Sequence, residues 1–192
     1  MIEKEYRRRY GVYKGLVTRW RNAGYDIKDV YTPPKKISRG SLNRLEKAIK
    51  EVRRQKDVQE ARAFNRARNA YQKVKKMIEG YYDGSISGRV GAGDFAGSPA
   101  VGDARALKAG SRNGLELVLN EAYYGLRGAQ DMRRFAKNVT KNASIIQEYV
   151  EMYILAAYRK KTATWSAGDG DRWQQYNRIY QSFEGLLKEG LS

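Results

Sequence analysis

The first apolar stripe of the chain has the spacing of an amphipathic helix and is rich in aromatic residues. Its members, three or four residues apart, are Tyr6, Tyr10, Tyr13, Val17 and Trp20. This period places them on one side of a helix over residues 3–23, which Gly24 is suited to end. The pattern favours a packed core with tyrosine hydroxyls at its edge. The alternative is an aromatic platform on which nucleic-acid bases stack.

Two further stripes follow a connection over residues 25–40, in which two consecutive prolines prevent a helix. Either Ser38 or Ser41 is expected to cap the next helix. The first of these stripes comprises Leu42, Leu45, Ile49 and Val52, and the second comprises Phe64, Ala67, Tyr71, Val74 and Ile78. The twelve residues between the two stripes offset them by roughly 120° around a helix axis. This offset predicts two helices with a break at Asp57, and one long bent helix is the alternative.

Glycine dominates residues 80–114, which hold nine of the chain's 19 glycines. Serine, alanine and aspartate fill much of the rest, so the segment is predicted to be a flexible linker. Its glycine run at 88–93 lacks the preceding strand and the following lysine of a phosphate-binding loop. The linker separates a basic helical region over residues 1–79 from a second helical region over residues 115–192.

Residues 115–192 have the pattern of four antiparallel helices with short connections. Their apolar stripes are Leu115, Leu119, Tyr123 and Leu126; Met132, Phe135 and Val139; Ile145, Ile146, Tyr149, Met152, Tyr153, Leu155 and Ala156; and Trp173, Tyr176, Tyr180, Phe183 and Leu187. The loop before the last helix, residues 160–171, carries the hydroxyls of Thr162, Thr164 and Ser166. The whole chain is therefore predicted to be all-α, with an antiparallel helical bundle at its C-terminal end.

The charge of the chain is unevenly distributed. Lysine and arginine number 38 against 21 acidic residues, which gives a net charge of +17, and residues 1–82 hold 23 of the bases but only nine of the acids. Such a surplus destabilises a compact fold by self-repulsion unless a polyanion neutralises it. Nucleic acid is the commonest such partner. A membrane surface fits less well, because tyrosine rather than leucine or phenylalanine dominates the first stripe.

DNA is accordingly the expected partner, held through its phosphates without readout of its sequence. The basic residues expected to contact it are Arg7, Arg8, Arg9, Lys14, Arg19, Arg21, Lys35, Lys36, Arg39, Arg44, Arg53, Arg54, Arg62, Arg66, Arg68, Lys73, Lys75 and Lys76.

Missing residue types exclude several kinds of chemistry. With no cysteine and no histidine, the chain can form neither a disulfide nor a Cys/His zinc site nor a Ser-His-Asp triad. Asp169 and Asp171 form the one close carboxylate pair in a predicted loop, where helix capping is a better interpretation than metal binding. We therefore expect no active site, metal or cofactor. No long apolar run predicts a membrane span, and the first residues lack a signal peptide's apolar core, so an intracellular location is expected.

The run PPKKISRGSLNRL at residues 33–45 resembles a run in basic proteins of bacteriophages that replicate linear DNA by protein priming. The order of parts also resembles the terminal proteins of these phages. This resemblance implies that a loop hydroxyl attacks the α-phosphate of the first dNTP, while a partner DNA polymerase supplies two metal ions. Ser166 would be the priming residue, with Thr164 second and Thr162 third. The protein would then stay attached to the 5′ end of DNA in the host cytoplasm.

Two other functions are consistent with the same residues. A virion structural or DNA-packaging protein would contact packaged DNA with its basic region and self-assemble through its bundle. A sequence-independent nucleic-acid-binding protein would act with no covalent step. All three functions predict that DNA affinity falls steeply with salt.

Overall fold

A computed structural model describes residues 1–83, 115–150 and 169–191 of the chain. Within these ranges it contains six helices and no strand, so the all-α prediction is confirmed. The helices are α1, Ile2–Asn22; α2, Arg39–Asp83; α3, residues 115–124; α4, Gly128–Lys141; α5, residues 143–150; and α6, Asp169–Lys188. Residues 80–83, which the sequence assigned to the linker, belong to α2, and the rest of that segment lies outside the described residues.

The chain divides into two compact units, residues 1–64 and 65–192, which we call the first and second units. The division falls inside α2 rather than at the predicted boundary after residue 79. The proposed assignment of functions to residues 1–79, 80–114 and 115–192 stays a prediction.

The tyrosines of α1 form the core of the first unit. Tyr6 and Tyr13 are only 5% and 3% exposed, and they pack with Val17 of α1 and Ile27 of the connection. Tyr31 completes a cluster of rings, with centroids 6.5 Å from that of Tyr6 and 5.9 Å from that of Tyr13. Burial raises the pKa of Tyr6 to about 12. The prediction of core packing is confirmed, and stacking of bases on these two buried rings is excluded.

The hydroxyls of these tyrosines lie at the edge of the core, as predicted. The Tyr13 hydroxyl accepts a hydrogen bond from the Val30 N–H at 3.1 Å. The Tyr31 hydroxyl lies 3.1 Å from the Tyr6 hydroxyl and 3.2 Å from the Ser41 carbonyl oxygen. These bonds fasten the connection between the helices to both α1 and α2.

Both candidate serines take part in starting α2. The Ser41 N–H donates to Ser38 Oγ at 3.3 Å, and the Ser38 N–H donates to Ser41 Oγ at 2.8 Å. This reciprocal exchange satisfies two backbone donors and is the arrangement of a capping box. Ser41 is fully buried and Ser38 is exposed, so only the Ser41 side of the cap is protected from water.

The predicted break near Asp57 is wrong, because α2 is one helix of 45 residues. The error came from taking Phe64 as a core residue. Phe64 is 46% exposed, and its neighbour Ala63 is 1% exposed. Ala63 follows Val52 by eleven residues, which is close to three whole turns, so both lie on the same face of the helix. Ala63 is small and buried, and it continues the core-facing stripe of α2 across the segment where the sequence pattern predicted a break.

Two glutamine side chains near the middle of α2, one helical turn apart, form hydrogen bonds with the backbone of the connection between α1 and α2. Gln59 accepts a hydrogen bond from the Asp26 N–H at 3.0 Å and donates to the Asp26 carbonyl oxygen at 2.8 Å. Gln55 accepts from the Lys28 N–H at 2.9 Å. Beside them, the Tyr25 hydroxyl donates to Glu60 at 2.7 Å. These side chains satisfy backbone groups that a neighbouring strand would satisfy in a sheet.

Replacing Gln59 should loosen this connection without disturbing α2. We expect Gln59→Ala to reduce the free energy of unfolding by about 1–2 kcal/mol, since two backbone partners are lost but stay accessible to water. The amide of Asp26 should also exchange its hydrogen faster. The matched control is Gln72→Ala, because Gln72 is an exposed residue of the same helix. Equal rates of amide hydrogen exchange at Asp26 in the two variants would show that the Gln59 side chain does not hold the Asp26 backbone.

The second unit is organised around large side chains that are fully buried. They come from α2, α3, α4, α5 and α6, and include Ile78, Leu115, Leu119, Phe135, Ile146, Phe183 and Leu187. Arg134 and Asn138 of α4 donate hydrogen bonds to the carbonyl oxygens of Gly190 and Glu189 after α6. Where the structure describes their side chains, the predicted stripe residues are buried or partly buried in this core, except that Ile145 is 44% exposed. The side chains of Met152, Tyr153, Leu155, Ala156, Trp173 and Tyr176 lie outside the described set. The architecture of this unit is that of a helical bundle.

Candidate nucleic-acid interface

The carboxylates of the first unit pair with only a third of its cations. Residues 1–64 contain 18 lysines and arginines but eight aspartates and glutamates. The cations in ion pairs are Arg7, Arg8, Arg9, Arg21, Arg54 and Lys56. All but two of the carboxylates, Asp26 and Asp57, are used in these pairs.

The arginine triplet of α1 is bound by acids of its own helix. Arg7 pairs with Glu3, and both Arg8 and Arg9 pair with Glu5. Hydrogen bonds from Arg8 and then Arg9 lower the pKa of Glu5 from 4.5 to about 2. Exposed pairs of this kind add little to stability, but a phosphate must displace a carboxylate to reach the same guanidinium groups. The triplet is therefore a weaker candidate for DNA contact than the sequence suggested.

The depressed pKa of Glu5 is directly measurable. Because the fold favours the ionised form, its stabilisation is present above pH 4.5 and is lost as the pH falls through about 2. We expect a carboxyl titration followed by NMR to give a midpoint near 2 for Glu5. In Arg8→Gln/Arg9→Gln the midpoint should return toward 4.5. Glu51, whose pKa is lowered by Arg54, serves as the unchanged internal control.

Arg21, which was predicted to contact DNA, binds the connection that follows α1. Its Nε and Nη2 atoms donate to the Ile27 carbonyl oxygen at 2.8 and 2.7 Å. Nη2 also lies 3.1 Å from a carboxylate oxygen of Asp29. These bonds fix the connection against the end of α1.

The other twelve cations of the first unit are all exposed, and none of them forms an ion pair with a residue that the structure describes. They are Lys4, Lys14, Arg19, Lys28, Lys35, Lys36, Arg39, Arg44, Lys47, Lys50, Arg53 and Arg62. Most were predicted to contact DNA, but Lys4, Lys28, Lys47 and Lys50 were not. Lys47 and Lys50 each have a carboxylate four residues away, Glu51 and Glu46, but those carboxylates pair with Arg54 and Arg9. Each of the twelve cations leaves a full positive charge available to a phosphate.

Two of these cations line a cleft in the first unit. The cleft has a volume of about 550 Å³ and lies between residues 30–34 and the first turns of α2. Arg44 and Lys47 are on its α2 side, and Thr32 is on the other. The one carboxylate in the lining, Glu51, is already bound by Arg54 at 2.7 Å. Lys35 and Lys36 follow the lining residue Pro34 directly in the chain. The cleft and the segment next to it are therefore basic.

The second unit contains the remaining candidates on α2. Arg66, Arg68, Lys73 and Lys76 are exposed and form no ion pair with any residue that the structure describes, whereas Lys75 lies 3.9 Å from Glu79. The predicted priming hydroxyls Ser166, Thr164 and Thr162 lie outside the described residues. Asp169 and Asp171, expected in a loop, are in the first turn of α6.

Two further findings concern the described ranges as a whole. Nowhere in them do three side chains of the metal-binding types come together as a possible site for an ion. No helix there combines the length and the apolar character needed to cross a bilayer. No family model, curated protein or solved structure matches the chain.

Proposed function

We propose that this protein binds DNA through its phosphates, independently of base sequence. One observation carries the proposal: twelve exposed cations of the first unit have no carboxylate partner among residues 1–83, 115–150 and 169–191. A protein that neutralises several phosphates releases the counterions condensed on DNA, and this release drives binding. Contacts of this kind position a protein on DNA but do not select a sequence.

The aromatic residues support phosphate contact rather than base stacking as the main source of affinity. A protein that grips single strands by stacking presents the faces of its rings to solvent. In the first unit, Tyr6 and Tyr13 are buried against Tyr31. Trp20 is partly buried, and the Lys56 ammonium lies 5.8 Å from its ring centroid. The exposed surface is therefore basic more than aromatic.

The test of this proposal is the salt dependence of affinity for two DNA fragments of unrelated sequence. If six or more phosphates are contacted, the slope of log K against log salt should be about −5 or steeper. The two fragments should bind with affinities within a few-fold of each other. A slope near zero, or a large preference for one sequence, would contradict the proposal.

A finer proposal, protein priming of DNA replication, rests on the resemblance of residues 33–45. In the first unit this run begins α2, and its cations Lys35, Lys36, Arg39 and Arg44 are exposed without ion pairs. Priming joins a Ser166, Thr164 or Thr162 oxygen to the α-phosphorus of a dNTP. Pyrophosphate leaves, and the hydroxyl proton passes to solvent.

Priming is tested by incubating the protein with a labelled dNTP and a polymerase of the protein-primed class. A primer becomes covalently labelled, and Ser166→Ala should abolish the label. Labelling that survives all three single substitutions to alanine would overturn the site assignment. With no labelling of the wild-type protein, DNA binding without a covalent step would remain, as in a packaging protein or a plain DNA-binding protein.

A further inference from the structure

The second unit contains a basic cleft that the sequence analysis did not identify. It has a volume of about 590 Å³ and lies between the C-terminal half of α2 and the last turns of α4. Four cations line it, Arg66 and Lys73 from α2 and Lys137 and Lys141 from α4. We propose that this cleft binds one strand of a nucleic-acid backbone, an inference that rests on the proposed function.

The charges of the cleft are uncompensated. None of its lining residues is a carboxylate, and none of the four cations forms an ion pair in the described part of the chain. All four are exposed, so their head groups can reach a ligand from solvent. Four cations with no acid between them repel one another, and an anion placed among them relieves that repulsion.

The floor of the cleft is formed by small apolar side chains. Ala70, Ala136 and Val139 form it, and each is buried. Asn69 adds an exposed amide that can donate to a phosphate oxygen. Thr140 does not add a second such donor, because its hydroxyl donates to the Ala136 carbonyl oxygen at 2.8 Å. The cleft therefore offers four positive charges and one amide donor to a phosphate backbone.

The spacing of the cations suits a chain of phosphates better than a single anion. Arg66 and Lys73 are seven residues apart, which is about 10 Å along a helix, and Lys137 and Lys141 are about 6 Å apart. One strand of duplex DNA carries a phosphate for about every 3.4 Å of helix axis, so roughly three phosphates span this distance. A strand lying along the cleft can therefore meet cations from both helices.

One opposing effect is small. The C-terminus of α4 carries the negative end of the helix dipole, equivalent to about half an elementary charge, which repels an anion. Lys141 lies in that last turn, and Lys137 is one turn before it. Two full positive charges outweigh half a negative one at the same place, so this end of α4 attracts a phosphate.

The test compares two fourfold variants of the full chain with equal net charge. The cleft variant is Arg66→Gln/Lys73→Gln/Lys137→Gln/Lys141→Gln. The control variant is Arg68→Gln/Lys76→Gln/Arg127→Gln/Arg178→Gln, whose residues do not line the cleft. Circular dichroism first shows that both variants fold, and both are titrated with single-stranded and duplex DNA over a range of salt concentrations.

We expect the cleft variant to flatten the slope of log K against log salt by about 2.7 for duplex DNA or about 2 for single-stranded DNA, as the loss of three phosphate contacts predicts, and the control to change it by less than half as much. Bound DNA should also protect Lys73, Lys137 and Lys141 of the wild-type protein from acetylation more strongly than Lys76, which does not line the cleft. If the wild-type protein binds with a steep slope but the two variants lose affinity equally, the cleft is overturned and the proposed function stands. If the wild-type protein does not bind, both are overturned.

Discussion

Asp57→Pro should reduce the stability of the protein by about 3 kcal/mol or more. Asp57 lies 18 residues inside α2, which continues through this position without a break. A proline at this position removes one backbone hydrogen bond, and its ring clashes with the preceding turn. The same substitution at the start of a helix would be tolerated, because the first N–H groups have no partner inside the helix. The measurement is urea unfolding followed by circular dichroism.

Asp57→Ala is the matched control for this substitution. Asp57 is exposed and forms no ion pair, so its removal should be neutral or slightly stabilising, in keeping with the better helix propensity of alanine. A proline variant that unfolds within about 1 kcal/mol of the alanine variant would mean that a helix begins near residue 57. That result would restore the break that the sequence pattern indicated.

Removing the positive charges of the first unit's cleft and of the two lysines beside it in sequence should weaken DNA binding by about a thousandfold near 0.1 M salt. The variant is Lys35→Gln/Lys36→Gln/Arg44→Gln/Lys47→Gln, in which all four residues are exposed and without ion pairs. If each contacts one phosphate, the slope of log K against log salt should flatten by about 3.6. Fluorescence anisotropy with labelled DNA measures both quantities.

The control for this variant removes four cations that are already in ion pairs. It is Arg7→Gln/Arg8→Gln/Arg9→Gln/Arg54→Gln, which has the same net charge. We expect a smaller loss of affinity, since these guanidinium groups are shared with Glu3, Glu5 and Glu51. Equal losses in the two variants would show that total charge alone decides affinity and that the unpaired cations have no special role.

The hydrophobic period predicted the helices well because each stripe reports burial over several turns. It failed where a small residue carries the burial. Alanine contributes little to a hydrophobic pattern, so Ala63 was overlooked and exposed Phe64 was taken in its place. The offset between two hydrophobic stripes predicts a helix break only when the residues in each stripe are truly buried. The size of a side chain is a poor guide to whether it is buried.

Contacts between distant parts of the chain could not be predicted at all. Gln55 and Gln59 look like ordinary exposed polar residues of a helix, yet they bind the backbone at Lys28 and Asp26. Nothing in the sequence pairs residues about 30 positions apart without an alignment or a structure. Lys137 and Lys141 were likewise unremarkable in sequence, because the cleft they line depends on how α4 packs against α2.

Charge pairing was predictable in part. The partners of Arg7, Arg8 and Arg54 are three or four residues away on the same helix, where ion pairs are expected from spacing alone. Applying that rule to every base would have removed the α1 triplet from the leading candidates. The role of Arg21 could not be found in this way, because it binds a carbonyl oxygen of the following connection.

The twelve unpaired cations also determine how the protein should respond to its medium. Added electrolyte shortens the range over which like charges repel, from about 30 Å at 0.01 M to about 10 Å at 0.1 M. The unbound protein should therefore melt at a higher temperature as ionic strength rises, while its complex with DNA dissociates. A preparation kept in dilute buffer without nucleic acid is thus the one most prone to unfold.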